Sequence, residues 1–337
     1  MRRELRVAAL LLAAALPGLG APPAHADSAP AGTWSFIIEN DSIQSDSDRH
    51  YTHGTRFSYL CAPGNDAAPC SLAAAFAGRL PGGLMQHPLL DLEFGQSIFT
   101  PTDIHIGNPD RSDRPYGAWL YVGASLIDEK NGAGLDRLGL QVGLVGPDAL
   151  GQEIQNTWHQ FIGARRAVGW DEQIHDEPGL VLSAERKLRF VQPLGAGYAV
   201  DVIPEVKGAL GNVFTYGAVG AMARIGRNIG FDYGPPRIEP ALSGTDWFKP
   251  TGGFGWYLFI GNEDRIVGRD VFLDGNTFRS SRHVPRNILV ADLETGAALV
   301  YSDWLRLAYT FTLRTPEFHG QTDGPDEFSA VTLSLRF

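Results

Sequence analysis

A histidine and a glutamine four residues apart lie in a segment whose apolar residues follow helical spacing. In residues 148–166 this spacing is formed by Leu150, Ile154, Trp158, Phe161 and Ile162. Residues four apart share one helix face, so Gln155 and His159 are predicted to point in the same direction. Histidine titrates near neutral pH and can accept a proton from water. The segment therefore predicts a helix that presents a general base.

Oxygen-bearing side chains earlier in the chain suit a hard metal ion. Asp41, together with oxygens of Asn40 and Thr52, forms the type of set that Ca²⁺ accepts, since calcium takes many oxygen ligands in flexible geometry. Zinc is not expected, because no cluster of His and Cys is present. A metal beside His159 would polarise an ester carbonyl, and Gln155 or Asn40 would orient water or substrate. The predicted chemistry is ester hydrolysis without a covalent intermediate.

Other interpretations of these residues stay open at this level. The chain has no Gly-x-Ser-x-Gly elbow, the turn that presents a nucleophilic serine, but the hydroxyl of Thr52 is an alternative nucleophile to water. Structural roles also fit single members of the set. Asn40-Asp41 could be ordinary turn chemistry at a strand end, and Tyr116 suits the aromatic girdle of a membrane barrel.

The final residues of the chain predict the kind of element that carries this site. From Ala330 the sequence alternates apolar and polar residues and ends on the aromatic Phe337. Alternation with a period of two indicates a strand with one face in an apolar medium. A terminal strand of this kind is typical of outer-membrane β-barrels. We expect the barrel assembly machinery to recognise it through Phe337.

The same pattern recurs along the chain. Twelve β-rich runs are separated by Gly, Pro, Asn and Asp, at residues 33–41, 51–61, 89–100, 115–126, 135–146, 179–191, 198–209, 217–226, 253–262, 287–299, 304–314 and 328–337. An even number of runs, each near ten residues, fits a bacterial barrel. The predicted fold is all-β: a twelve-stranded antiparallel transmembrane β-barrel with a short rim helix on the extracellular side.

Strand parity gathers the polar motifs at one rim. If the first strand runs outward, the extracellular rim receives five features: Asn40-Asp41, residues 48–54, Thr100-Pro101, residues 113–117, and Gln155 with His159. This agreement predicts one active site facing the outer leaflet. Two connections on the opposite, periplasmic side are longer than expected. Residues 62–88 suggest a short helix near 71–80, and residues 227–252 have no interpretation from sequence.

Composition and the first residues agree with an envelope protein. A basic start, an apolar run and the small-x-small pattern at Ala24-His25-Ala26 predict a signal peptide at residues 1–26, followed by a barrel domain at 27–337. In an oxidising periplasm, Cys61 and Cys70 are expected to form a disulfide. The net charge of −10 argues against a nucleic-acid partner.

These residues resemble a known family, the outer-membrane lipid A 3′-O-deacylases, which remove an acyloxyacyl group from lipopolysaccharide. The resemblance extends from Trp34 to Phe337. It is densest in six motifs: Asn40-Asp41, Tyr51-Thr52-x-Gly54, Gln96 to Pro101, Asp113-Arg114, Gly143 through His159, and Trp170-x-x-Gln173.

The resemblance implies an active site between the barrel wall and a rim helix. It also implies calcium-dependent hydrolysis of the 3′-linked ester of lipid A. In this sequence the family's catalytic histidine is His159, its glutamine Gln155 and its threonine Thr52, and its Asn-Asp pair is Asn40-Asp41. By this resemblance Asp41 would help to hold calcium, and His159 would activate water.

The chain departs from the family pattern at two positions near the substrate. The family's Lys-Arg pair after the third strand is missing from residues 102–111, so Arg111 or Arg114 would replace it. We predict that Arg114 and Tyr116 bind substrate. The position six after the histidine, acidic in one family member, is Arg165.

Two other functions fit a barrel of this size less well. An outer-membrane phospholipase would use Ser, His and Asn with the His two residues before the Ser, and no such pair occurs on a predicted strand near an Asn. A non-enzymatic barrel, such as a small porin or adhesin, is disfavoured by the narrow lumen of twelve strands and by outer loops without repeats.

Overall fold

The computed structural model describes most of the chain after residue 31. Its described residues are 32–42, 48–62, 64–65, 68–77, 79, 85–249 and 252–337. The predicted signal peptide at 1–26 lies outside them. Among the described residues, none of the helices has the length and apolar character needed to cross a membrane.

Antiparallel strands make up most of the described structure. Their bounds are β1 (Gly32–Asn40), β2 (His50–Cys61), β3 (Leu89–Thr100), β4 (Gly117–Glu129), β5 (Gly134–Val145), β6 (Glu177–Leu188), β7 (Phe190–Gly195), β8 (Tyr198–Gly211), β9 (Phe214–Arg227), β10 (Phe231–Asp232), β11 (Phe248–Lys249), β12 (Phe254–Asp270), β13 (Leu289–Tyr301), β14 (Leu305–Arg314) and β15 (Asp326–Arg336). The α-helices of the described residues are α1 (Leu72–Ala77), α2 (Gly151–Ile162) and α3 (Val271–Asp274).

The strands close into a barrel. From β1 to β6 and from β12 to β15, each strand pairs with the next one along the chain, and β1 pairs with β15. Strand β8 pairs with β9, and β9 pairs with β12. Strands β6 and β7 both pair with β8, so they share one position in the wall. Strands β10 and β11 form a separate two-stranded sheet. The wall therefore has twelve positions, which confirms the predicted twelve-stranded barrel. At the seam, the backbone N–H of Phe337 donates to the carbonyl of Gly32 at 3.0 Å.

One strand is longer than its sequence pattern predicts. The prediction ended at residue 262, but β12 continues to Asp270. Its outward face carries Asn262 and Asp264 in place of apolar residues, and the Asn262 amide donates to the Asp264 carboxylate at 2.8 Å. This polar pair interrupts the apolar alternation while the backbone pairing with β9 and β13 goes on.

The two faces of the wall have opposite character. On β1, Trp34 is exposed on the outward face, whereas Ser35, Ile37 and Glu39 are buried on the inward face. The outward faces of the other strands likewise carry exposed apolar side chains, including Phe57, Phe94, Leu258 and Leu299. An apolar exterior around a polar interior is the arrangement of a barrel that lies in a bilayer.

The connection between β9 and β12 occupies the barrel interior. This segment, residues 229–249, is called the luminal plug below. Most of its side chains are buried, among them Ile229, Tyr233, Arg237, Leu242 and Phe248, whereas Phe231 is exposed. The long inner connection that the sequence left without interpretation thus fills the lumen.

The first long inner connection is anchored covalently. Cys61 and Cys70 form a disulfide, and α1 follows directly. Cys61, Cys70, Ala73 and Leu90 pack in one buried cluster beside the inner end of β3.

Candidate active site

Polar residues gather on the outward face of the wall, at the outer ends of β1 to β3. Asn40 shares the outward face of β1 with Trp34. The pairing of β2 with β3 shifts register between Tyr51 and His53, which makes Thr52 the extra residue of a β-bulge. The Thr52 hydroxyl lies 2.6 Å from that of Thr100. The bulge therefore brings Thr52 beside the end of β3.

Helix α2 covers this part of the wall from outside. A 3₁₀ turn, Pro147–Ala149, precedes it, and the Gln96 side chain donates to the Ala149 carbonyl at 2.5 Å. Gly151 faces Ala118 of the wall so closely that a Cβ at this glycine would lie 2.7 Å from the Ala118 methyl carbon. The close approach of helix and wall therefore requires glycine at 151.

The helix points its polar face toward the wall. The buried residues of α2 are Gly151, Gln155 and His159, which recur every fourth residue. Of the apolar residues that predicted the helix, Leu150, Ile154 and Phe161 are exposed instead, Phe161 by 68% and Ile154 by 44%, whereas Trp158 and Ile162 are half-buried. In a water-soluble protein the apolar face of such a helix would be buried and the polar face exposed. At the rim of a membrane barrel, an apolar surface can be exposed because it faces lipid.

The central contact joins α2 to the residues before β2. His159 Nε2 lies 2.7 Å from Asp48 Oδ2, and Gln155 Nε2 donates to Asp48 Oδ1 at 3.2 Å. His159 Nδ1 donates to the Arg165 carbonyl at 2.6 Å. Because a carbonyl can only accept, Nδ1 carries a hydrogen and Nε2 is the nitrogen that can exchange a proton.

A buried aromatic pair orients Gln155. The Trp170 indole N–H donates to Gln155 Oε1 at 2.8 Å, which leaves the Gln155 amide nitrogen to face Asp48. Tyr116 packs against Trp170 with ring centroids 4.8 Å apart, and its hydroxyl donates to the Ile104 carbonyl at 3.2 Å. Both rings are fully buried.

The end of β1 supplies a second group of oxygens. The Asn40 amide donates to the Thr52 carbonyl at 2.8 Å, and the Arg49 backbone N–H donates to Asp41 Oδ2 at 2.6 Å. Burial raises the pKa of Asp41 well above its usual value, and the charge of Asp48 raises it further. The first hairpin therefore places two carboxylates near each other, of which Asp48 lines the cavity described below and Asp41 does not.

The structure places the two residues predicted to bind substrate away from the cavity described below. Arg114 is fully buried, its guanidinium pairs with Glu317 at 3.0 Å, and it lies over the Phe99 ring. Tyr116 is equally buried and contacts Trp170. Neither side chain lines the cavity described below. Both residues follow a loop whose direction depends on distant contacts: Arg114 meets Glu317 and Phe99 inside the barrel, whereas Tyr116 packs on Trp170 beneath α2.

The sequence prediction missed Asp48 as a site residue. Asp48 lies in the 48–54 rim motif, but the sequence motifs assign a role only to Asp41, as a calcium ligand. The available signal was the order Asp48-Arg49-His50 just before a strand. Buried His50 fixes this stretch, with Nδ1 2.6 Å from Asp326 Oδ1 and Nε2 3.1 Å from Thr102 Oγ1.

A cavity of about 720 Å³ opens between α2 and the wall. Its polar side carries Asn40, Asp48, Thr52, Gln155 and His159. Its apolar side is formed by Ile104, Ile154, Trp158, Phe161 and Ile162. Among the residues that line it, Arg165 alone bears a permanent positive charge. Reactive polar groups thus border a space suited to a hydrocarbon chain.

Asp48 is expected to set the pH dependence of any reaction that uses His159 as a base. Burial lowers the pKa of His159, but the hydrogen bond and charge of Asp48 and the bond to the Arg165 carbonyl raise it above its usual value. A base must be unprotonated, so the rate falls as pH drops through this raised pKa. In Asp48→Asn the raising effect of the charge is lost, and the acidic limb of the pH–rate profile moves to lower pH.

The test is the pH profile of kcat for wild type and Asp48→Asn, measured at saturating calcium. Asp323→Asn is the control, because Asp323 is an exposed carboxylate that pairs with Arg49 at the same rim. An acidic limb that stays in place in Asp48→Asn would contradict the role of Asp48.

Comparison with known proteins identifies the family. A family model described as outer membrane protein LpxR matches residues 7–337. The chain belongs to the LpxR family. This confirms the resemblance drawn from the sequence motifs and places the chain in the outer membrane as a β-barrel. Membership of the LpxR family supports a role in lipid A modification.

A solved structure of the same family name has the same fold. LpxR from Salmonella typhimurium matches with a TM-score of 0.73 and 23% identity, over 90% of this chain and 100% of that one. The beta domain of the Bordetella autotransporter BrkA is also similar, with a TM-score of 0.41 and 12% identity over 92% of this chain and 99% of that domain. No curated protein matches the chain in sequence.

Proposed function

We propose that this LpxR-family protein hydrolyses the ester of the 3′-linked acyloxyacyl group of lipid A in the outer leaflet. The observation that carries the proposal is the Asp48–His159 contact at 2.7 Å, located outside the barrel wall beside an apolar cavity. A site on the outward face meets lipid directly. Membership of a family linked to lipid A supplies the substrate class.

In the proposed reaction a water molecule attacks the ester carbonyl carbon. In the structure the one free position of Nε2 faces Asp48 at 2.7 Å, so in this proposal the attacking water takes the place of the Asp48 oxygen beside Nε2. His159 Nε2 then accepts the proton of the water, and the nearby charge of Asp48 stabilises the imidazolium that forms. When the tetrahedral intermediate collapses, the bond between the carbonyl carbon and the sugar oxygen breaks. The imidazolium returns its proton to that oxygen, which leaves a free carboxylic acid and a 3′-hydroxyl group.

Water fits the role of nucleophile better than Thr52. The Thr52 hydroxyl contacts Thr100 at 2.6 Å. The imidazole nitrogens of His159 contact Asp48 and the Arg165 carbonyl instead. A threonine nucleophile would need a base within hydrogen-bond reach of its hydroxyl.

The oxygen donors at the cavity fit a calcium ion. Among the described residues, no group of three or more His, Cys, Asp or Glu side chains is arranged to hold a metal. Calcium, however, also takes amide and backbone oxygens. Asp41 and Asp48 would hold it, with the oxygens of Asn40 and Thr52, and a cation would relieve the repulsion that raises the pKa of Asp41. When bound, calcium would stabilise negative charge on the ester oxygen.

Mass spectrometry of lipid A tests the proposal. Purified protein is incubated with lipopolysaccharide and calcium, and lipid A is compared before and after. Loss of one acyloxyacyl group with a new free hydroxyl supports the proposed reaction. Lysophospholipid formed from added phospholipid would instead indicate a phospholipase, and unchanged lipids would indicate a non-enzymatic barrel. Either of these results overturns the proposal.

The end of the chain supports a separate proposal about assembly. The backbone of Phe337 is bonded to Gly32 at the closing seam, while its ring is 49% exposed on the surface. We propose that the barrel assembly machinery recognises this exposed terminal aromatic residue.

A further inference from the structure

The luminal plug contacts the outer halves of three wall strands from inside the barrel, beneath the candidate active site. Arg237 Nε lies 2.6 Å from Glu39 Oε1, and Arg237 Nη1 lies 2.9 Å from Glu294 Oε1. The same Nη1 donates to Thr312 Oγ1 at 3.0 Å. Arg237 and the two glutamates are at most 1% exposed. One plug residue thus joins β1, β13 and β14 inside the barrel.

A second plug residue contacts the paired strands β1 and β2. The Ile238 backbone N–H donates to Glu39 Oε1 at 3.1 Å, and Glu39 Oε2 accepts from the Tyr51 hydroxyl at 2.9 Å. A Cβ at Gly54 would lie 2.8 Å from the Ile238 Cδ1 atom, so the plug touches the wall where β2 lacks a side chain. The plug therefore holds β1 and β2 from inside at one level.

The plug contacts lie on the inner side of the same wall residues that border the site on the outer side. Glu39 directly precedes Asn40, and Tyr51 directly precedes Thr52. Successive side chains of a strand point to opposite faces. The ion pairs on the inner face and the cavity residues on the outer face therefore share the same short pieces of backbone.

We infer that Arg237 is a positioning residue for the reaction, acting from the lumen through Glu39 on the backbone that carries Asn40 and Thr52. This inference rests on the proposed function. A buried ion pair contributes little net stability compared with apolar packing, but its fixed geometry can specify one arrangement. The periplasmic connection between β9 and β12 would thus keep the extracellular site in register.

The experiment replaces one buried arginine by lysine at the outer contact between plug and wall and, as a control, another at the inner contact. Arg237→Lys keeps the charge but cannot reach Glu39, Glu294 and Thr312 together. The matched control is Arg306→Lys. Arg306 is also fully buried, but it contacts the plug at the inner end, where it donates to the Thr245 carbonyl at 2.8 Å. Folding is checked by heat-modifiable mobility on gels.

We expect Arg237→Lys to lower kcat about tenfold or more with little change in KM, since a small misplacement of reacting groups costs rate and the cavity for the chain is retained. Arg306→Lys should keep the wild-type kcat. Ile238→Ala, which removes the contact at Gly54 without touching a charge, should also lower kcat, and it decides the matter if Arg237→Lys does not fold.

Unchanged turnover in the variants, or an equal loss in the control, overturns the inference. Wild-type kcat in folded Arg237→Lys would do so, and so would wild-type kcat in Ile238→Ala when Arg237→Lys does not fold. An equal loss in Arg306→Lys would likewise show a general effect of the plug on the barrel. Failure of the proposed function is distinguishable, because the wild-type protein itself would then leave lipid A intact.

Discussion

His159→Ala is expected to lower the rate of lipid A deacylation by about 10²–10⁴-fold, the usual contribution of a general base. The imidazole contacts Asp48 at 2.7 Å on the wall of the cavity. It sits on α2, outside the barrel, and takes no part in strand pairing. The barrel should therefore fold as in the wild type.

The measurement is the initial rate of acyl release by purified protein, with folding checked by gel mobility before and after heating. His283→Ala is the matched control. His283 is an exposed outer-loop histidine whose ring contacts only the Ser281 carbonyl among the described residues. Its removal should leave the rate unchanged. Full activity in His159→Ala would exclude His159 from the mechanism.

Removal of calcium is the second change with a large expected effect. Chelation should stop turnover, because the negative charge that develops on the ester oxygen would lose the stabilisation of the cation and the repulsion between Asp41 and Asp48 would not be relieved. Added Ca²⁺ should restore the rate better than Mg²⁺, since magnesium demands a regular octahedral shell and this site offers oxygens of mixed type. The measurement is the rate of deacylation against free Ca²⁺ concentration.

Asp41→Asn refines this prediction. The loss of one formal charge should shift the calcium dependence to higher concentration, while the rate at saturating Ca²⁺ stays closer to the wild-type value. Asp303→Asn, in the inner turn between β13 and β14, is the control and should not change the calcium dependence. Activity that persists in excess chelator would refute the calcium requirement.

Much of the fold was readable because strands in a membrane barrel carry a regular local pattern. All twelve predicted runs correspond to wall positions, and β3 has the predicted bounds of Leu89 and Thr100. The pattern did not separate β7 from the run 179–191, and it failed again where it was interrupted. Polar Asn262 and Asp264 on the outward face of β12 hid the second half of that strand.

The apolar spacing that predicted the rim helix correctly indicated a helix, but the face that it marks is not the buried one. Helical spacing of Ile154, Trp158 and Phe161 identified α2, and the same spacing in a soluble protein would mark its buried face. Here the buried face carries Gln155 and His159. The helix packs on a polar part of the wall, and its apolar stripe faces outward and lines the cavity.

By itself, the sequence determined the barrel, its strand number, the rim helix and the pairing of Gln155 with His159 on one face, because each depends on periodicity within a short stretch. The tertiary structure alone decided that Asp48 contacts His159, that Arg114 is buried and that residues 229–249 fill the lumen. These outcomes depend on a bulge at Thr52 and on ion pairs between residues far apart in the chain, such as Arg237 and Glu39. Local pattern fixes which way a strand or helix face points, but only packing across the barrel fixes which side chains meet.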